Sequence, residues 1–182
     1  MPDFTSAASV KAYLGITIAT DDTLLATLVT AYSTWMRTFL NRTITSQQFT
    51  ITRSGRDEQT MLMPDWPITA VSTLMIDGVV IPAQSTWGGY GYRFSDRAIT
   101  LDCLRFTRGV DNVSITFTAG YASVPADLAQ ACVELVALHY REKDRFGLAS
   151  KGLAGETTAF ITKAMPESVK AVLNQYARVI PL

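Results

Sequence analysis

The 182-residue sequence holds one histidine and two cysteines, and these shortages exclude several kinds of protein at once. Any Ser-His or Cys-His nucleophile system must run through His139 alone. Cys103 and Cys132 are too few for a disulfide framework or a four-ligand zinc site, and they fit a reducing compartment as inert packing thiols. A surplus of one charge is also missing, since 16 Lys and Arg balance 16 Asp and Glu. Without net positive charge the chain is a poor candidate for gripping nucleic acid by neutralising phosphates. No uninterrupted apolar run nears the ~20 residues that cross a bilayer, and Met1-Pro2-Asp3-Phe4-Thr5 lacks the basic start of a secretion signal. The expectation is a product made in the cytoplasm, with no membrane partner.

What is present is a globular composition, 48% apolar and 18% charged, at a length that suits one domain over residues 1–182. Thr5 or Ser6 can cap a short helix carrying Val10, Tyr13 and Leu14, and Gly15 can end it. A second helix begins after Thr20, with Asp21 and Asp22 favouring its positive end, and runs through Leu24, Leu28, Trp35 and Phe39 to Asn41. Apolar residues occupy nearly two-thirds of its circumference. Its weakly charged remaining stripe, Thr23, Thr27, Thr30, Thr34, Arg37 and Asn41, suggests a helix with more than one neighbour, one of which could be another subunit. From residue 44 to 120 the period becomes two, as in Phe49 and Ile51, Ile99 and Leu101, or Val113, Ile115 and Phe117. Asp77-Gly78 between strand-like runs marks a hairpin, and Pro64, Pro67 and Pro82 sit at run ends.

A third helix opens with Pro125 at its first position and Asp127 favouring the dipole, with Gln130, Glu134, Ala137 and Arg141 on its narrow polar line. Residues 143–165 hold Gly147, Gly152 and Gly155 without a clean period and read as a flexible loop. Pro166 and Glu167 start a last helix with Val169, Val172, Leu173 and Tyr176 at helical spacing, ending near Arg178 before an apolar tail. The fold class is therefore α+β. Two N-terminal helices, one long central helix and one C-terminal helix form a helical core, with an antiparallel β lobe over 44–120 inserted before the central helix.

Catalytic signals are thin. His139 lies on an apolar stripe and reads as a hydrogen-bonded structural histidine. His139 and Glu142 are spaced like two metal ligands on one helix, but no further histidine or cysteine matches them, so neither a metal nor another cofactor is expected. Trp87-Gly88-Gly89-Tyr90-Gly91-Tyr92 precedes a strand and lacks Gly-Lys-Ser/Thr, so it is no phosphate loop. It reads as a glycine-permitted turn, with a sugar- or base-stacking surface as the alternative, the former that of a carbohydrate-binding or tail-fibre-like module. A small hydrolase would depend on His139. The mixed-sign run Arg141-Glu142-Lys143-Asp144-Arg145 reads as a solvated helix end.

Three stretches together resemble the head-tail connector, or adaptor, proteins of long-tailed double-stranded DNA bacteriophages. Val10-Lys11-Ala12-Tyr13-Leu14-Gly15-Ile16, then Asp21-Asp22-Thr23-Leu24-Leu25 and a helix ending Phe39-Leu40-Asn41-Arg42, is similar to the family's opening helix pair. Trp66-Pro67-Ile68-Thr69-Ala70-Val71 leading to Ile76-Asp77-Gly78 is similar to a strand entry in members with a β lobe. The third stretch runs from Ala119-Gly120-Tyr121 and Val124-Pro125-Ala126-Asp127-Leu128 to His139-Tyr140-Arg141-Glu142, then Pro166-Glu167-Ser168-Val169 and Tyr176-Ala177-Arg178. The β lobe is larger than in the most compact, nearly all-helical members. The resemblance implies a virion structural protein rather than an enzyme. It implies a homo-oligomeric ring, usually of twelve copies, below the portal protein at the head-tail junction, on which neck and tail completion proteins dock. Double-stranded DNA passes through such a ring without being read. By position in the family, Tyr176, Arg178, Val179, Ile180 and Leu182 are the implied portal-docking residues.

Overall fold

Local chemistry sets the helix ends. In the computed structural model, which describes residues 2–86, 88–143, 150–153, 156–159 and 165–178, the Ser6 hydroxyl accepts the Ser9 N–H at 3.2 Å and opens α1 (Ala7–Leu14). Gly15 closes it in the left-handed conformation at φ 71°. Asn41 does the same at φ 50° for α2 (Asp22–Leu40), its N–H reaching the Arg37 carbonyl at 3.0 Å. α3 (Ala126–Glu142) and α4 (Glu167–Tyr176) each follow a proline. Pro125 stands at the cap, one residue ahead of its expected first helical position, with ψ 139°. Its missing N–H costs nothing at either place.

The chain divides into two compact units, Met1–Asn41 with Val124–Leu182, and Arg42–Ser123. In the helical unit, Leu25, Val29, Ser33, Met36 and Leu40 form the buried stripe of α2, spaced three and four residues apart. α3 is buried on more than one side, through Leu128, Ala131, Cys132, Val133, Leu135, Val136 and Ala137. Ala137 is only 3% exposed, so it belongs to the core and not to the expected polar line; its small side chain lets a neighbour close over it. Val10 of α1 and Val169 and Leu173 of α4 complete this core. The Ser33 hydroxyl accepts the Phe4 N–H at 3.1 Å and lies 3.8 Å from the Cys132 thiol, whose pKa burial pushes up to about 11.

Within the segment 143–165, β8 (Ser150–Leu153) pairs antiparallel with β9 (Glu156–Ala159), matching Ser150 with Ala159 and Leu153 with Glu156. Pairing between two short runs creates regularity there that a search for one period misses. The rest of the expected flexible loop, residues 144–149, 154–155 and 160–164, lies outside the described residues.

Among the described residues the second unit holds seven strands. One antiparallel sheet runs in the order β1 (Gln47–Arg53), β7 (Val113–Ala119), β3 (Ile68–Ile76), β4 (Val79–Ile81). Another runs β2 (Thr60–Leu62), β6 (Ala98–Asp102), β5 (Gly91–Phe94). β7 alternates strictly between buried and half-buried residues, and Val113, Ile115 and Phe117 enter a core shared with Leu74, Ile99 and Phe106. Asp77 and Gly78 both take positive φ, 52° and 81°, which matches the right-handed twist of the β3–β4 hairpin. The α+β class expected from the sequence is the observed one, with helices before and after the strands.

Candidate assembly interface

The outer face of α2 is exposed and carries no charge. Leu24, Ala31 and Trp35 lie along it, with Thr23, Thr27, Thr34 and Thr38 beside them. The threonines add little polarity. Three of their hydroxyls turn back on the helix, Thr27 to the Thr23 carbonyl at 2.9 Å, Thr34 to the Thr30 carbonyl at 2.9 Å and Thr38 to the Thr34 carbonyl at 3.2 Å. Trp35 is 41% exposed and stacks on Phe39, one turn on, at 5.8 Å between ring centres. A helix face in water ordinarily carries Lys or Glu, so a charge-free stripe with an exposed indole has the composition of an interface core. The sequence placed Leu24 and Trp35 on the apolar arc without separating the part of that arc facing the core from the part left open.

The C-terminal helix is held by polar ties as well as by its buried valine and leucine. The Tyr176 hydroxyl donates to the Asp127 carboxylate, 3.0 Å from Oδ1 and 2.8 Å from Oδ2, and the Arg178 N–H donates to the Leu40 carbonyl at 2.9 Å. Of the residues implied as a portal-docking end, Tyr176 and Arg178 thus lie together against the start of α3 and the end of α2. Val179, Ile180 and Leu182 lie outside the described residues. Between α3 and α4 a cavity of about 180 Å³ opens beside Asp127, Gln130, Glu134 and Val172. It is smaller than the ~300 Å³ at which ligand pockets begin.

A second tie joins the start of α2 to the end of α3. The Tyr140 hydroxyl donates to Asp21, and Lys143 Nζ lies 2.9 Å from the same oxygen. The Tyr140 hydrogen bond first, and then Lys143, hold the Asp21 carboxyl below its usual range. Asp21 makes no side-chain cap bond of its own, so the charge expected at the helix end serves a partner about 120 positions along the chain. No short-range pattern announces such a contact.

The pattern of the head completion protein family matches residues 3–179. The chain belongs to the head completion protein family. This membership agrees with the connector resemblance carried by the three sequence stretches. A chain in the neck of an empty GTA particle computed with C6 symmetry is similar in fold, with TM-score 0.56, 22% identity, and coverage of 97% of this chain and 90% of that one. A chain in the neck of a native GTA particle computed with C12 symmetry has TM-score 0.54, 24% identity and the same coverage. A chain in the virion of a native gene transfer agent particle has TM-score 0.54 and 23% identity, again over 97% and 90%. No curated protein matches the chain.

In this head completion protein His139 is structural. Its Nδ1 lies 2.9 Å from the Leu135 carbonyl, and its ring packs against Tyr32 at 4.4 Å between centres. Among the described residues no group of three or more His, Cys, Asp or Glu side chains is arranged to hold a metal ion. The stretch proposed for sugar stacking is divided. Tyr90 is exposed, but Tyr92 is buried, its hydroxyl donating to the Val71 carbonyl at 3.1 Å, and Trp87 lies outside the described residues. Tyr92 is therefore core, packed in the buried cluster of the second unit. Cys103 differs from its expected packing role: it is exposed, at a turn with φ 62°.

Aromatic chemistry is concentrated instead at Trp66. The Arg42 guanidinium carbon lies 3.8 Å from its ring centre and that of Arg97 4.1 Å, and Arg42 also donates to the Trp66 carbonyl. Three residues separated by 24 and 31 positions meet there, and nothing in the sequence pattern brought them together.

Proposed function

We propose that this head completion protein is a non-catalytic virion component at the head-tail junction. In this reading, copies form a closed ring, of twelve subunits, below the portal protein, and the ring surrounds the channel through which double-stranded DNA leaves the head. The protein is made in the bacterial cytoplasm and becomes part of the particle, where neck and tail completion proteins dock on it. The observation that carries the reading is the uncharged outer face of α2, apolar surface that a lone copy leaves in water. Family membership and the likeness of fold to neck chains support the location, and the C12 symmetry of one such neck supports the number twelve. Balanced charge suits a channel in which DNA must slide, because unopposed Lys and Arg would hold phosphates.

The portal-docking end comprises Tyr176, Arg178, Val179, Ile180 and Leu182. Tyr176 acts by tying α4 to Asp127, which fixes where the following residues leave the helical unit. The test is to mix the purified chain with the portal protein of the same phage and image the product. Rings seated on the portal are expected with the wild type, and Trp35→Glu should abolish them while leaving the far-ultraviolet circular dichroism unchanged. Failure of the wild-type chain to co-assemble overturns the reading.

A further inference from the structure

The sheet of the second unit ends on one side in a strand with no ordinary protection. β1 pairs with β7 over all seven of its residues, from Gln47 opposite Ala119 to Arg53 opposite Val113, with no bulge. Alternate N–H and C=O groups of such a strand point away from the sheet, and among the described residues no hydrogen bond reaches them. Proteins usually guard an edge with lysine, proline, a bulge or shortness. β1 is seven residues long, reads Gln-Gln-Phe-Thr-Ile-Thr-Arg, and carries its single charge at the far end. The other edges differ: β4 and β2 have three residues each, and beside β5 the backbone of Pro82 and Gln84 already bonds to Tyr92.

The same chain carries an element that lacks what β1 offers. β8 and β9 form a two-stranded sheet that, among the described residues, joins no other strand. An isolated two-stranded hairpin is marginal in water and gains stability from a third strand. β9 pairs with β8 along one side, and among the described residues no strand pairs with its other side. Its first residue is Glu156, and the last residue of β1 is Arg53, which has no ion-pair partner among the described residues.

We propose that β9 of one copy adds antiparallel to the outer edge of β1 of a neighbouring copy. Setting Arg53 opposite Glu156 brings Thr52 opposite Thr157, Ile51 opposite Thr158 and Thr50 opposite Ala159. This register places opposite charges at one end and β-branched residues opposite each other along the middle, both favourable cross-strand pairs. Main-chain bonds supply the affinity and the terminal charge pair fixes the register. The contact is directional, a hairpin from one copy and an edge from the next, so repetition around an axis links every subunit to two others. The proposal rests on the ring reading for its supply of neighbouring copies.

Two variant chains test it, Thr52→Cys and Thr157→Cys, each with Cys103→Ser to remove the exposed native thiol and with Cys132 left buried in the core. Neither forms the designed disulfide within one molecule. Mixed, assembled on the portal and oxidised, they should give the crossed dimer on non-reducing gels, and each chain alone should not. Rings without the crossed disulfide overturn the edge pairing and leave the ring reading intact. A crossed disulfide without rings supports the pairing and overturns the ring, and the absence of both overturns both. Charge reversal gives a second measurement by sedimentation. Arg53→Glu and Glu156→Arg should each weaken self-association about three- to tenfold, and the double reversal should restore it; single reversals without effect count against the register.

Discussion

The two units of the chain hold themselves together differently. In the β unit, strands distant in sequence are joined residue by residue, so that β7 alone is paired along its whole length with β1 and again with β3. Its large exposed apolar residues are scattered at short edge strands and loops, such as Val79, Val80 and Val110. In the helical unit every backbone bond inside α1 to α4 is local. The helices meet chiefly through side chains, in a buried seam and a few polar ties: Tyr176 to Asp127, Tyr140 and Lys143 to Asp21, the Phe4 N–H to Ser33, and one backbone bond from the Arg178 N–H to the Leu40 carbonyl. Helices joined this way can leave a whole face unused, and α2 does so. A ladder fixes its neighbours, whereas a seam leaves the opposite side of each helix available to a partner.

The largest test of this contrast removes mass from each core. Phe117→Ala should cost about 3–5 kcal/mol in denaturant unfolding, because Phe117 is fully buried in the strand at the centre of the ladder. Leu173→Ala in α4 should cost about 2–4 kcal/mol and release α4 first, seen as faster amide exchange there than in α3. Equal loss of protection across both units would show that the seam is as cooperative as the ladder. Tyr176→Phe removes one hydrogen bond to a carboxylate and should cost about 1 kcal/mol, with a lowered midpoint and unchanged denaturant slope.

The helical tie at Asp21 predicts a pH response. The folded-state pKa of Asp21 is depressed below its ordinary 3.8 by the Tyr140 hydrogen bond and then Lys143, so its contribution is present above that value and lost as acid takes pH down through the folded pKa. Tyr140 and Lys143 are raised above 10.0 and 10.5, each mainly through Asp21, so theirs is present below those values and lost as pH rises through the folded pKa. Thermal scans should therefore show losses at both extremes, and Tyr140→Phe should diminish both. The smallest change in stability is expected at Trp35→Ala, about 0.5–1 kcal/mol for the lost stacking on Phe39, although assembly on the portal should fail. A variant that assembles normally would move the interface off α2.

Much of the local structure was legible in order. Ser6 and Gly15 bracket a helix because one accepts an orphan N–H and the other tolerates the left-handed turn, and Asp77-Gly78 makes a hairpin for a similar conformational reason. Periods of two and of about 3.6 separated strands from helices because side chains alternate on a strand and recur each turn on a helix. The hairpin at Ser150–Ala159 was hidden, since its regularity lies in pairing and not in one hydrophobic period. The candidate interface was half legible: an apolar arc wider than one neighbour needs was visible on α2, but not the side left open.

The sequence by itself determined the four helices, the strand-rich stretch before α3, their order, the balanced charge and the poverty of catalytic groups. Those properties depend on residue type and on spacing within a few turns. Only the tertiary structure decided that Tyr92 and Ala137 are core, that His139 is bonded to Leu135, that Asp21 faces Tyr140, that the outer stripe of α2 is exposed, and that β1 has no strand beyond it among the described residues. Burial and exposure belong to pairs of surfaces brought together from distant parts of the chain, and one segment's pattern cannot say which of its apolar faces the rest of the molecule will reach.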